Sequence, residues 1–146
     1  MPKFERQIDI EADLEKVWST MTDSKKWSMW FPGIDGVSNL TAVKQGGTFD
    51  WQDDDRTGVG TIVHLEPNER LEIVTQMGDD KDSHLFELKP DRGFLGLGAA
   101  HGCRVEYTLD TLMGGGILAD FIAGGNPKDT LRVKNALDSL KALVEG

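Results

Sequence analysis

The sequence predicts an α+β domain in which a long C-terminal amphipathic helix packs on an antiparallel sheet. Three observations carry this reading. The first ten residues alternate with a period of two, as does Arg104–Asp110 near the end of a turn-punctuated region. Between about residues 37 and 111, short β-branched and apolar segments are separated by polar or glycine turns. After Pro127, apolar residues recur at helical spacing.

In chain order, Phe4, Arg6, Ile8 and Ile10 oppose Glu5, Gln7 and Asp9, the pattern of a half-buried strand. Asp13 stands where a helix N-cap is expected, before Leu14, Val17, Trp18 and Met21, whose spacings of three and four predict a short helix over 14–21. Asp23 or Ser24 caps a second short helix carrying Lys26, Trp27, Met29 and Trp30, which Phe31-Pro32-Gly33 ends. Six strand segments follow. The first two, near 37–44 and 47–52, flank a Gly46-Gly47 turn. Thr57–Glu66 turns at Pro67-Asn68 into Arg70–Met77, and a polar turn at 78–81 leads to Ser83–Lys89. Pro90 to Gly102 reads as loop because glycines punctuate it, and Arg104–Asp110 is the last strand. Seven strands with short connections imply an antiparallel sheet.

The final helix is expected over Pro127–Val144, with Asn126 as N-cap and proline in the first helical position. Leu131, Val133, Ala136, Leu137, Leu140, Leu143 and Val144 form its predicted apolar stripe, opposite Arg132, Lys134, Asp138, Lys141 and Glu145. A shorter apolar helical patch at Ile117–Ile122 is set off by Gly124-Gly125 and reads as a separate flap.

At 146 residues the chain fits one domain over 1–146, with no repeat, low-complexity tract or linker. Sixteen basic and 25 acidic residues give a net charge of −9, which disfavours nucleic acid and anionic membrane surfaces. No run approaches the ~20 apolar residues of a membrane span. A lone cysteine, Cys103, excludes an intrachain disulfide, and the charged start Lys3-Phe4-Glu5-Arg6 lacks the apolar stretch of a signal peptide, so a reduced cytoplasmic protein is expected. Asn39-Leu40-Thr41 then reads as a chance match to a glycosylation site.

The order strand, two short helices, six strands, long helix resembles the helix-grip fold of the START/Bet v 1-like (SRPBCC) superfamily, in particular its polyketide cyclase/dehydrase-like branch. The resemblance rests on Ile8-Asp9-Ile10-Glu11-Ala12 leading into Glu15-Lys16-Val17-Trp18, then on Asp23, Lys26-Trp27, Trp30 and Pro32-Gly33. Gly46-Gly47-Thr48-Phe49, Gly60, Glu66-Pro67 and Leu137-Asp138-Ser139-Leu140-Lys141 complete it. It implies a curved sheet gripping the last helix, with a cavity between them for apolar or amphipathic molecules. The stretch from Phe94 to Gly102 and the Gly124-Gly125 break depart from the pattern near the expected cavity mouth.

The candidate ligand-binding residues are Trp27, Trp30, Phe31, Phe49, Trp51, His84, Phe86, Tyr107 and Phe121. An aromatic set of this kind serves either a packed core or the wall of an apolar pocket. His84 shares a strand face with Phe86 and Leu88, while Ser83, Leu85 and Glu87 take the other, so His84 is expected inside. There a neutral imidazole either is satisfied by neighbours or serves a ligand as hydrogen-bond partner or general base. His64, between Val63 and Leu65, is expected to face outward.

No catalytic residue, metal site or cofactor motif is predicted. Neither HExxH nor CxxC occurs, Gly93, Gly96 and Gly98 precede no phosphate-binding helix, and Asp53-Asp54-Asp55 reads as a solvated turn. Cys103 reads as a small buried hydrophobe. The leading expectation is a binding module for a small hydrophobic molecule. Two alternatives stand beside it: a metal-independent cyclase or dehydratase acting on an aromatic or polyketide-like substrate, and an Hsp90 co-chaperone-like interaction domain suggested by Trp27, Trp30 and the Gly46–Phe49 hairpin. A homodimer stays open.

Overall fold

A computed structural model of the protein describes residues 3–31, 34–53, 56–91, 102–112 and 127–146. The alternating N-terminal segment forms β1 (Lys3–Ile10), followed by helix α1 (Leu14–Met21). A 3-10 turn (Ser24–Lys26) leads into helix α2 (Trp27–Trp30). Then come β2 (Gly36–Ser38), β3 (Thr48–Asp53), β4 (Arg56–Glu66), β5 (Arg70–Met77), β6 (Asp80–Asp91), β7 (Gly102–Leu112) and helix α3 (Pro127–Glu145). The strands make one antiparallel sheet in the order β1-β7-β6-β5-β4-β3-β2. Helix α3 packs against β1, β7, α1 and α2.

Asp13 occupies the N-cap of α1, yet its carboxylate makes no capping bond. Its carbonyl receives the Lys16 and Val17 N–H groups instead. Asp23 does cap, accepting from the Lys25 N–H at 3.1 Å. Helix α2 stops at Phe31 because that residue precedes a proline and takes extended geometry, φ −66° and ψ 133°.

Several strand boundaries differ from the sequence reading. The segment expected near 37–44 pairs only over Gly36–Ser38, because Asn39 takes a left-handed φ of 54° and turns the chain out of the sheet. Strands β6 and β7 run through Pro90–Asp91 and from Gly102, positions read as loop. Pro90 is tolerated for a geometric reason. Leu88, two residues earlier, donates its N–H toward the β5 side, to the Glu69 carbonyl at 2.8 Å. Pro90 therefore turns its nitrogen to the same side, beyond the start of β5, where a missing N–H breaks no ladder bond.

In β4 the register shifts between Ile62 and His64. This bulge inserts Val63 as an extra residue, so Ile62 and Leu65 face inward while Val63 and His64 face outward. His64 Nε2 lies 2.6 Å from Glu66 Oε1.

Val133, Ala136, Leu137, Leu140 and Val144 of α3 are buried, with Leu143 packed partly against them. Leu131 does not belong to the stripe, being 55% exposed in the second turn of the helix. The Ile117–Ile122 patch and the Gly124-Gly125 break lie outside the described residues.

Candidate functional site

The inner face of the sheet is built from alternate residues of paired strands. Leu71, Ile73 and Thr75 of β5 stand opposite Phe86, His84 and Asp82 of β6. The latter three face Tyr107, Leu109 and Thr111 of β7. One strand period therefore puts His84, Phe86, Leu88, Tyr107 and Leu109 on one wall, and all five are buried.

Helix α2 lays its aromatic face on that wall. Trp27 and Trp30 lie one helical turn apart, so both point inward, while Met29 between them is 62% exposed. The rings form one continuous series. Phe49 lies 5.1 Å from Trp27 between centroids, and Trp27 lies 6.2 Å from Phe31. Phe31 then reaches His84 at 4.9 Å and Phe86 at 6.0 Å. Trp30 meets Phe86 edge-on at 5.3 Å, and Phe86 stacks on Tyr107 at 4.4 Å. Such offset and edge-on pairs add about 0.5–1.5 kcal/mol each to their burial.

Glycines in β4 make room for the β3 aromatics. Phe49 pairs with Gly60 and Trp51 with Gly58 across the ladder. A Cβ at Gly60 would overlap the Phe49 ring, and one at Gly58 would overlap the Trp51 indole and the Gln76 carbonyl. Each ring lies over its glycine partner.

Within this apolar wall sits a short polar chain. His84 Nδ1 is 2.7 Å from the Tyr107 hydroxyl, and His84 Nε2 is 3.0 Å from Thr75 Oγ1. A neutral imidazole has one donor and one acceptor nitrogen, so both bonds run in the same sense, from Thr75 toward Tyr107 or the reverse. Reversing that sense carries a proton from one end to the other without moving a heavy atom. The arrangement can therefore present either a donor or an acceptor to a neighbouring group. Among the described residues Thr20, Thr75, His84 and Thr111 are buried, as are the Tyr107 hydroxyl and the indole N–H groups of Trp27 and Trp30, and no buried Lys, Arg, Asp or Glu supplies a charge there.

Of the nine residues expected to bind a ligand, seven are joined by ring contacts: Trp27, Trp30, Phe31, Phe49, His84, Phe86 and Tyr107. Trp51 shares the Phe49 face but joins no ring pair among the described residues; its Nε1 donates to the Val59 carbonyl at 3.1 Å. Phe121 lies outside the described residues. Sequence reasoning missed Thr75. Its signal was present: a hydroxyl falls where Leu71 and Ile73 predict another inward apolar residue.

The outer face is polar. Arg70–Glu87, Lys89–Glu106 and Arg104–Asp9 pair at 3.4, 3.1 and 3.0 Å, so the facing Glu87 and Glu106 each have a cation. A groove of about 540 Å³ there, lined by Glu5, Gln7, Glu87, Glu106 and Thr108 among others, lies across the sheet from the aromatic wall. Asp53 pairs with Arg56. Among the described residues no cluster of three or more His, Cys, Asp or Glu is placed to hold a metal ion, and no helix is long and apolar enough to cross a membrane. Cys103 is buried.

Solved structures share this architecture. A Thermus thermophilus protein superposes with a TM-score of 0.71 at 15% identity, over 99% of this chain and 97% of its own. A Bacillus halodurans protein gives 0.72 at 15% identity, over 99% and 97%. DynU16, a protein of the dynemicin biosynthetic locus, gives 0.65 at 15% identity over 99% of this chain, which spans 48% of DynU16. At such identities the likeness establishes the helix-grip fold alone. No curated protein sequence matches the chain. The family model described as polyketide cyclase / dehydrase and lipid transport matches residues 1–145, and the chain belongs to that family.

Proposed function

We propose that the protein binds a small hydrophobic or amphipathic molecule between the sheet and α3. The observation that carries this is the joining of seven aromatic and imidazole rings into one wall that holds a buried His84–Tyr107 contact. A hydrophobic core alone needs no buried hydrogen-bonding side chains. A histidine, a tyrosine and a threonine hydrogen-bonded within it add a means of orienting a polar handle on an apolar guest. Burial of apolar area would supply the affinity, at about 25 cal/mol per Å² before the costs of association. Polyketide cyclisation, dehydration and lipid transport, which the family description joins, all handle molecules of this kind. Native mass spectrometry and quenching of the four tryptophans by an apolar panel test the proposal. Retention of a stoichiometric guest with quenching is expected; a panel with no binder would sink it.

The same contact favours a second reading, in which Tyr107 and His84 act as an acid–base pair on the bound molecule without a metal. Turnover of a true substrate that survives His84→Ala would remove this reading. The interaction-domain alternative draws no support from Trp27, Trp30 and Phe49, which are buried.

A further inference from the structure

An indole N–H can only donate, and burying it without an acceptor costs about 1–3 kcal/mol. Two tryptophans meet this demand internally: Trp27 Nε1 donates to the Met21 carbonyl at 2.7 Å and Trp51 Nε1 to the Val59 carbonyl. Trp30 does not. It is 2% exposed, its ring is wedged against Phe31 and Phe86, and its Nε1 has no hydrogen-bond partner among the described residues. A second orphan faces the same interior. Thr111 is 4% exposed, sits on the inner face of β7 one strand period beyond Leu109, and leaves Oγ1 equally without a partner among the described residues.

Two unanswered polar groups on the wall that already holds Thr75, His84 and Tyr107 specify a guest with oxygen. Charge narrows the class. With no buried Lys or Arg among the described residues, a carboxylate would enter uncompensated, whereas a neutral carbonyl needs only a donor. We infer that the interior site selects an uncharged aromatic or apolar ligand bearing a carbonyl oxygen, which accepts the Trp30 indole N–H. This rests on the proposed interior binding and adds to it the polar group of the ligand and the residue that reads it. The competing fate of the N–H is the face of Phe86, which meets the indole at 77°.

The test compares 2-acetylnaphthalene, 2-ethylnaphthalene and 2-naphthoate, which differ at one position, on the full chain. The Trp30 indole ¹H–¹⁵N resonance is assigned from its contacts to the Phe86 ring, so the readout does not depend on a variant. The ketone is expected to bind about 5–10-fold more tightly than the hydrocarbon, the worth of one buried hydrogen bond. It should also bind more tightly than the carboxylate, and it alone should shift the Trp30 N–H downfield. Trp30→Phe, which keeps an aromatic ring, should bring the ketone-to-hydrocarbon ratio close to one. A ketone that binds with the Trp30 resonance unmoved, or with its preference intact in Trp30→Phe, overturns the inference and leaves interior binding standing. Failure of both neutral naphthalenes to bind overturns interior binding and the inference with it.

Discussion

The Tyr107 hydroxyl lies 2.7 Å from His84 Nδ1, and both side chains are fully buried. These residues come from β7 and β6, one strand period apart in the ladder, where His84 faces Leu109 and Tyr107 faces Phe86. Tyr107→Phe deletes the oxygen and keeps the ring that stacks on Phe86. It takes a partner from a buried ring nitrogen, so a loss of about 1–3 kcal/mol is expected. The denaturant midpoint reads this, and a change within ~0.5 kcal/mol would show the contact to be energetically idle.

Gly60→Ala tests the seating of Phe49. The added Cβ overlaps a ring held between Trp27 and the sheet, so Phe49 must shift in a packed interior. Destabilisation of about 1–3 kcal/mol is expected from thermal or denaturant unfolding. Phe49→Leu in the Gly60→Ala background should recover part of that loss, since the smaller side chain vacates the space. Lack of any recovery would place the strain elsewhere.

Leu140 and Leu131 are the same residue type on one helix with opposite surroundings, fully buried and 55% exposed. Leu140→Ala should cost about 2–5 kcal/mol through lost burial and a cavity. Leu131→Ala should stay within about 0.5 kcal/mol of the parent. Equal effects would contradict the packing of α3 described above.

Glu145 ties the end of α3 to the turn after β1. Its carboxylate pairs with Lys141 and accepts the Glu11 N–H at 2.8 Å, and these bonds hold it below the ordinary glutamate value of 4.5. A depressed carboxylate lends its stability above 4.5 and loses it as pH falls through the lower folded value. Stability followed from neutral to acidic pH should therefore fall less steeply in Glu145→Gln than in the parent below that point. Identical slopes would exclude the tie as a source of acid sensitivity.

Much of this architecture was legible in the sequence because it is local. Leu14, Val17 and Met21 mark α1 to the residue, Leu71–Ile73 and Val105–Tyr107–Leu109 declare their inward faces by alternation, and His84 follows Phe86 inside. What was not legible depends on neighbours distant in sequence. Pro90 stays in β6 only because β5 has not yet begun beside it, and the glycines of β4 matter through rings on β3. The Thr75–His84 bond needs the β5–β6 register, which places Thr75 opposite Asp82, one strand period from His84. Leu131 fits the periodicity of the stripe but falls in the second turn of α3, where it is left exposed.

The location of a bound guest tests the central claim most directly. Intermolecular NOEs should be measured between 2-acetylnaphthalene and the side-chain protons of the full chain. Interior binding predicts NOEs to Phe31, Phe86 and Tyr107, the rings around His84. NOEs confined to outer-face residues such as Gln7 and Thr108, or none at saturating probe, would contradict it.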